Sequence, residues 1–181
     1  MIEVRWHGRG GQGSFTAARL LGSAAALFEN KYSLSFPSFG PERRGAPVLG
    51  FTKIDDTKIF DRSEVKESDY VIILDETLIN KDILNGIKKG AKIIINTKDA
   101  SKYTIFNDYE VYAIDATTMA LNILKRPITN TAMLGALIGA SEVVSLESAK
   151  NAIKSEMKES LIEKNIKILE IAYNEIKKAV R

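Results

Sequence analysis

The sequence predicts an α/β fold, a three-layer α/β/α domain on a mixed, mostly parallel sheet. Three observations predict it. A strand-like run, Ile2 to Trp6, ends in His7-Gly8-Arg9-Gly10-Gly11-Gln12-Gly13 and passes at once into an alanine-rich helical segment, Ser14 to Phe28. Tyr70 to Leu74 and Ala91 to Asn96 are near-continuous apolar runs, the pattern of strands buried on both faces. From Ala116 onward apolar residues recur at helical spacing.

The elements follow in order. Ser14 is the expected N-cap of the first helix, and Thr16-Ala17-Ala18-Arg19-Leu20-Leu21 continues it with good helix formers. That helix should end near Glu29-Asn30. A second strand, Lys31 to Phe36, stops at Pro37. The segment 37–47 holds three of the chain's four prolines, so it reads as a rigid loop. A strand from Val48 to Ile54, a turn at Asp55-Asp56 and a short strand from Lys58 to Phe60 come next. This region is antiparallel or mixed, because short turns cannot make parallel crossovers. After the strand 70–74, Asp75 should cap a helix from Leu78 to Lys89 that stops at Gly90. Strands follow at 91–96 and 110–114. Helices are expected at Thr117–Leu124, Asn130–Val144 with Asn130 as N-cap, Leu146–Met157 and Glu159–Val180. The last alternates Leu161, Ile162, Ile166, Ile168, Leu169 and Tyr173 with charged residues. Gly135 and Gly139 join Ala132, Ala136 and Ala140 in a small-residue face suited to close packing, within the subunit or across an interface.

Composition narrows the function. At 181 residues the chain fits one domain, 1–181, with a substantial core. Its net charge of +3 is mild, with both signs interleaved, and no nucleic-acid motif is visible. No cysteine is present, which excludes disulfides and iron–sulfur ligation by this chain. A single histidine argues against zinc. No signal peptide and no apolar run of roughly 20 residues is visible, so a cytoplasmic location is expected. The abundance of lysine, glutamate and isoleucine leans towards a thermophilic source.

Two motifs carry chemistry. Gly8, Gly10 and Gly13 fall on the G-x-G-x-x-G spacing, with Gly11 as a fourth glycine. Such a loop before a helix N-terminus serves as a phosphate cradle or as a turn for close packing. A dinucleotide site also needs an acid at the end of the second strand. Here that strand runs into Pro37-Ser38, and Glu29 lies at its other end. The second motif is Gly40-Pro41-Glu42-Arg43-Arg44-Gly45-Ala46-Pro47. Its paired arginines, stiffened on both sides, suit carboxylate or phosphate. His7 has no accompanying nucleophile motif and reads as structural rather than as a general base.

The glycine loop together with Phe36-Pro37-Ser38-Phe39-Gly40-Pro41-Glu42-Arg43-Arg44-Gly45-Ala46-Pro47, and with Asn130-Thr131-Ala132-Met133-Leu134-Gly135-Ala136, resembles the gamma subunit of 2-oxoacid:ferredoxin oxidoreductases, nearest the pyruvate type. The resemblance spans most of the chain and implies a Rossmann-like gamma domain. It implies a subunit that is inactive alone, working with alpha, beta and delta-type subunits that convert pyruvate and coenzyme A to acetyl-CoA and carbon dioxide, reversibly, with electrons passing to ferredoxin. Thiamine diphosphate, Mg2+ and [4Fe-4S] clusters would belong to those partners, and none to this chain. Gly8, Gly10, Gly11, Gly13, Arg43, Arg44 and Asn130 become candidate coenzyme A or subunit contacts. No catalytic or metal-ligating residue is assigned, and neither nucleic acid nor membrane is expected as a partner. A gamma-type subunit for 2-oxoisovalerate, 2-oxoglutarate or indolepyruvate, an independent nucleotide-binding module and a purely structural partner remain alternatives.

Overall fold

The alternation of β1 (Ile2–Arg9) sets the architecture: Val4 and Trp6 are fully buried on one face, while Arg5 and His7 point to the other. The structure, a computed structural model, describes residues 1–38 and 45–180. Arg43 and Arg44 lie outside the described residues.

β1 passes into α1 (Ser14–Phe28), β2 (Tyr32–Pro37) and β3 (Pro47–Asp55). β4 (Ser68–Ile73), β5 (Ile87–Asn96) and β6 (Glu110–Ile114) follow. The chain closes with α2 (Ala116–Leu124), α3 (Asn130–Ser141), α4 (Leu146–Glu156) and α5 (Glu159–Ala179). The strands form one mixed sheet in the order β2-β3-β1-β4-β5-β6. The β1/β4, β4/β5 and β5/β6 pairs are parallel, and β3 runs antiparallel to both β1 and β2. The chain therefore leaves β1 towards one edge and returns at β4 on β1's other side. The crevice beyond the carboxyl ends of β1 and β4 is the switch point of the sheet, where open α/β sheets place their ligands.

The two faces differ. Val4, Trp6, Ile72, Leu74, Ile94 and Ile114 pack under the α-helices, all five of which contribute to that cluster. On the opposite face Val71, Ile73, Ile93 and Ile95 are covered by Ile83 and Phe106, which sit on 3-10 turns at Lys81–Leu84 and Thr104–Phe106. α3 is the central helix, buried at every position from Asn130 through Ala140. Its small-residue face packs within the subunit: a Cβ at Gly135 would lie 2.3 Å from the Leu169 carbonyl oxygen, and one at Gly139 2.7 Å from that of Tyr173.

Four local expectations are corrected. The helix expected over Leu78–Lys89 is absent; 3-10 turns at Glu76–Leu78 and Lys81–Leu84 lead into β5. Asp75 and Asn80 accept hydrogen bonds from the Thr77 and Asp82 N–H groups, which diverts the backbone from helix. Gly86, at φ +72°, then turns the chain sharply against the Lys66 carbonyl. The strand expected at Lys58–Phe60 does not form. The Asp55 carboxylate instead accepts from the Thr57 N–H, and beyond the turn Asp61 pairs at 2.7 Å with the buried Lys53 ammonium. Ser14 is not the N-cap of α1, because Gly13 holds that position at φ +82°. Asn130 is likewise the first residue of α3, and Thr129 precedes it as the cap. Asp75 caps as expected, on a 3-10 turn.

Candidate functional site

The glycine loop and the return into β3 are stitched together at the switch point. The Gly10 N–H donates to the Ala46 carbonyl at 2.8 Å, and the Gly45 N–H to the Gly10 carbonyl at 3.1 Å. The sheet edge continues through the Leu74 N–H, which donates to the His7 carbonyl at 2.8 Å. The candidate glycines therefore have distinct surroundings. Gly8 is buried against Ser14, with room for a Cβ only at 3.1 Å. Gly10 lies in the bridge to Ala46. Gly11, at φ +96°, has no described residue within 4 Å of a built Cβ. Gly13 needs its left-handed φ and also abuts Asn130, whose amide nitrogen would lie 2.6 Å from a Cβ there. Asn130 is buried and its Oδ1 accepts from the Thr131 N–H at 2.8 Å. Two sequence-distant candidates thus meet directly behind the loop.

A polar clamp holds the loop to the end of β4. Asp75 Oδ2 accepts from Arg9 Nε at 3.1 Å and from Gln12 Nε2 at 2.9 Å. Its Oδ1 accepts from the Thr77 N–H at 3.0 Å and hydroxyl at 2.6 Å. Arg9 Nη1 reaches the Gly45 carbonyl and Nη2 the Thr77 hydroxyl, while Gln12 Oε1 accepts from the Arg9 N–H at 2.7 Å. Partial burial pushes the Asp75 carboxyl up. The bonds from Thr77 and Gln12 and the Arg9 charge outweigh burial and hold it below the ordinary carboxylate range. Sequence reasoning missed this clamp. Its one signal was a pair of long polar side chains, Arg9 and Gln12, between glycines.

Two cavities flank the clamp. One, of about 500 Å3, is lined by Arg5, His7, Arg9, Leu49, Thr77 and Asn85 among others. Burial, then the nearby Arg5 charge, lowers the His7 pKa to about 3, so the imidazole is neutral at pH 7. The Arg5 guanidinium donates to the Asn85 and Ile83 carbonyls at 2.6 and 2.7 Å. The other cavity, of about 260 Å3, lies beside Gln12, Asp75, Glu76, Asn96 and Thr129. Hydrogen bonds from Lys102, Thr97 and Tyr103 lower the Glu76 carboxyl to about 2. Its two ionised carboxylates disfavour phosphate on that side. The anion-favouring feature is the start of α1, with no acidic residue in its first turn and no side-chain cap.

The residues do not fit the metal-bearing groups of the wider enzyme class. The sequence has no cysteine for a cluster, and among the described residues no three His, Cys, Asp or Glu side chains group to hold a metal ion. Among the described residues no helix is long and apolar enough to cross a membrane. Among the described residues no ribose-binding acid stands at the carboxyl end of β2, where Pro37 and Ser38 lie. Glu29, at the other end, accepts from the Ser145 N–H at 2.5 Å instead.

Comparison with known proteins agrees with this geometry. Residues 3–175 match the family described as pyruvate ferredoxin/flavodoxin oxidoreductase. The chain is 50% identical over 179 residues to pyruvate synthase subunit PorC of Methanocaldococcus jannaschii, covering 98% of each. It is 47% identical over 180 residues to the pyruvate/ketoisovalerate oxidoreductases common subunit gamma of Thermococcus kodakarensis, covering 96% of each. The crystal structure of pyruvate oxidoreductase subunit PORC from Thermotoga maritima superposes with a TM-score of 0.82 at 34% identity, over 96% of this chain and 95% of that one. An α/β sheet with a clamped glycine loop, a chain without cysteine and full-length likeness to gamma-type subunits lead to one conclusion: the chain belongs to the pyruvate ferredoxin/flavodoxin oxidoreductase family, as a gamma-type subunit.

Proposed function

We propose that this chain is the gamma subunit of a multi-subunit pyruvate:ferredoxin oxidoreductase of the cytoplasm, folded as one gamma domain over residues 1–181. The assembled enzyme converts pyruvate and coenzyme A to acetyl-CoA and carbon dioxide, reversibly, with the electrons leaving to ferredoxin. The observation that carries this reading is that relatives named as pyruvate synthase subunit PorC, pyruvate oxidoreductase subunit PORC and a pyruvate/ketoisovalerate oxidoreductases common subunit gamma match over nearly the whole of both chains. Alpha, beta and delta-type subunits bring thiamine diphosphate, Mg2+ and the [4Fe-4S] clusters, for which this chain has no cysteine. A second substrate, 2-oxoisovalerate, is favoured by the relative from Thermococcus kodakarensis, named as a subunit common to both oxidoreductases.

The chain's own contribution is placement. The tip at Gly11 and the start of α1 behind it form the coenzyme A side of the site or its contact with a neighbouring subunit; Arg43 and Arg44, on the motif alone, are candidates for the same role. Gly8, Gly10, Gly13 and Asn130 support that tip by close packing. The internal bonding of Gly10, Arg9 and Gln12 supports a preformed contact surface rather than an independent nucleotide pocket.

The test is anaerobic affinity purification of the tagged protein from its own organism, followed by a coenzyme A-dependent viologen-reduction assay. Co-purified thiamine- and cluster-bearing subunits with pyruvate-driven activity are the expected result. A solitary chain without activity refutes the proposal. In the active complex, Arg43→Ala/Arg44→Ala should raise the coenzyme A KM about tenfold, as for loss of one or two charge-assisted hydrogen bonds. An assembled variant with an unchanged coenzyme A KM overturns the coenzyme A role of the two arginines.

A further inference from the structure

The clamp has a division of labour that the glycine spacing conceals. Gly11 offers a tip at φ +96° with no described residue within 4 Å of a built Cβ, beside a helix start that lacks an acid or a side-chain cap. Arg9 and Gln12, which flank the Gly10-Gly11 pair, turn inward and meet on one oxygen, Asp75 Oδ2. That oxygen belongs to a residue 66 positions away from Arg9, on another strand's end. Asp75 is itself immobilised through Oδ1 by the Thr77 N–H and hydroxyl, and its side chain is only 16% exposed. Among the described residues its four bonds, two on each oxygen, are all internal, so both oxygens are committed to holding the loop. Arg9 carries the same restraint outward to the Gly45 carbonyl and the Thr77 hydroxyl.

We infer that Asp75 is the positioning residue of the glycine loop, acting through Arg9 and Gln12 to hold the Gly11 tip in the geometry that receives an anionic group of coenzyme A. The inference rests on the coenzyme A reading of the tip proposed above. The physical reason is preorganisation. A glycine-rich loop has an unusually large conformational entropy to lose, and a loop fixed beforehand does not charge that loss to binding. A carboxylate is suited to the task because it accepts from a guanidinium and an amide at once, through charge-assisted bonds stronger than neutral ones. An amide in its place retains the shape but has one acceptor oxygen and presents N–H groups to the Arg9 cation.

The test uses the assembled oxidoreductase with substitutions in this subunit. Asp75→Asn should raise the KM for coenzyme A by about tenfold, the equivalent of about 1.4 kcal/mol. The pyruvate KM, and kcat at saturating coenzyme A, should stay within about twofold of wild type, because a residue that only positions the loop acts on coenzyme A binding. Gln12→Ala removes one arm of the clamp and should give a smaller change in the same parameter. A merely structural role would instead lower kcat and active-enzyme yield together while leaving the coenzyme A KM in place, and that result overturns the inference. If Asp75→Asn fails to assemble, Gln12→Ala decides: an unchanged coenzyme A KM overturns it. Gly11→Asp measured against Gly11→Asn tests the underlying reading separately, since both share the backbone strain and differ in charge. If Asp raises the coenzyme A KM above Asn while Asp75→Asn does not, only the positioning role fails. If the two Gly11 variants share one coenzyme A KM, the coenzyme A reading fails and the inference with it.

Discussion

Substituting Gly13 probes the junction between the two sequence motifs that meet behind the loop. Gly13→Ala introduces two separate costs. At φ +82° an L-residue with a Cβ is strained by about 1–2 kcal/mol. The new Cβ would also stand 2.6 Å from the Asn130 amide nitrogen, and relieving such overpacking in a buried site costs about 1–2 kcal/mol. The sum, about 3 kcal/mol, corresponds to a fall in Tm of about 6–12 °C for a chain of this length. Asn130→Ala alone should lose about 1 kcal/mol, through the bond that Oδ1 accepts from the Thr131 N–H. The double variant separates the terms, because removing the Asn130 amide relieves the overpacking and leaves the backbone strain. Its loss should fall short of the summed single losses by about 1–2 kcal/mol, well beyond ordinary additivity. Thermal and denaturant unfolding followed by far-ultraviolet circular dichroism measure all four proteins. Losses that add within about 0.5 kcal/mol refute the claim that Gly13 and Asn130 share one tight contact.

Two further outcomes follow from the packing and the electrostatics. Gly135→Ala would bring a Cβ to 2.3 Å from the Leu169 carbonyl oxygen, so α3 and α5 must separate. An overpacking cost of about 3 kcal/mol exceeds the helix-propensity gain of about 1 kcal/mol, and Tm should fall by about 4–8 °C; a rise, as at an exposed helical glycine, refutes it. His7 titrates near pH 6.5 when unfolded but only at about 3 in the folded protein. Protons therefore favour the unfolded state across that window, and the stability present above pH 6.5 is lost as pH falls towards 3. Between pH 7 and 5 wild type should lose up to about 2 kcal/mol more than His7→Gln, and parallel pH profiles of denaturant stability would contradict the buried neutral imidazole.

The sequence by itself determined the repeating elements and the kind of protein. Apolar runs at 70–74 and 91–96 specify buried parallel strands because both faces must shed water, and the strands lie there. The long C-terminal helices were legible for the same reason, since an apolar stripe at period 3.6 has one packing solution. The absence of cysteine was also readable, because it is a fact about residue types. Tertiary structure alone decided the rest. The segment 78–89 has helical composition, yet two side chains capturing backbone N–H groups and a sharp turn at Gly86 against Lys66 divert it. The inward use of Arg9 and Gln12 depends on a carboxylate more than sixty residues away. Asn130 acquires its place only because Gly13 lies against it. Periodic burial is a local property and leaves a local pattern; a hydrogen bond or contact between distant segments leaves none until the sheet order brings them together.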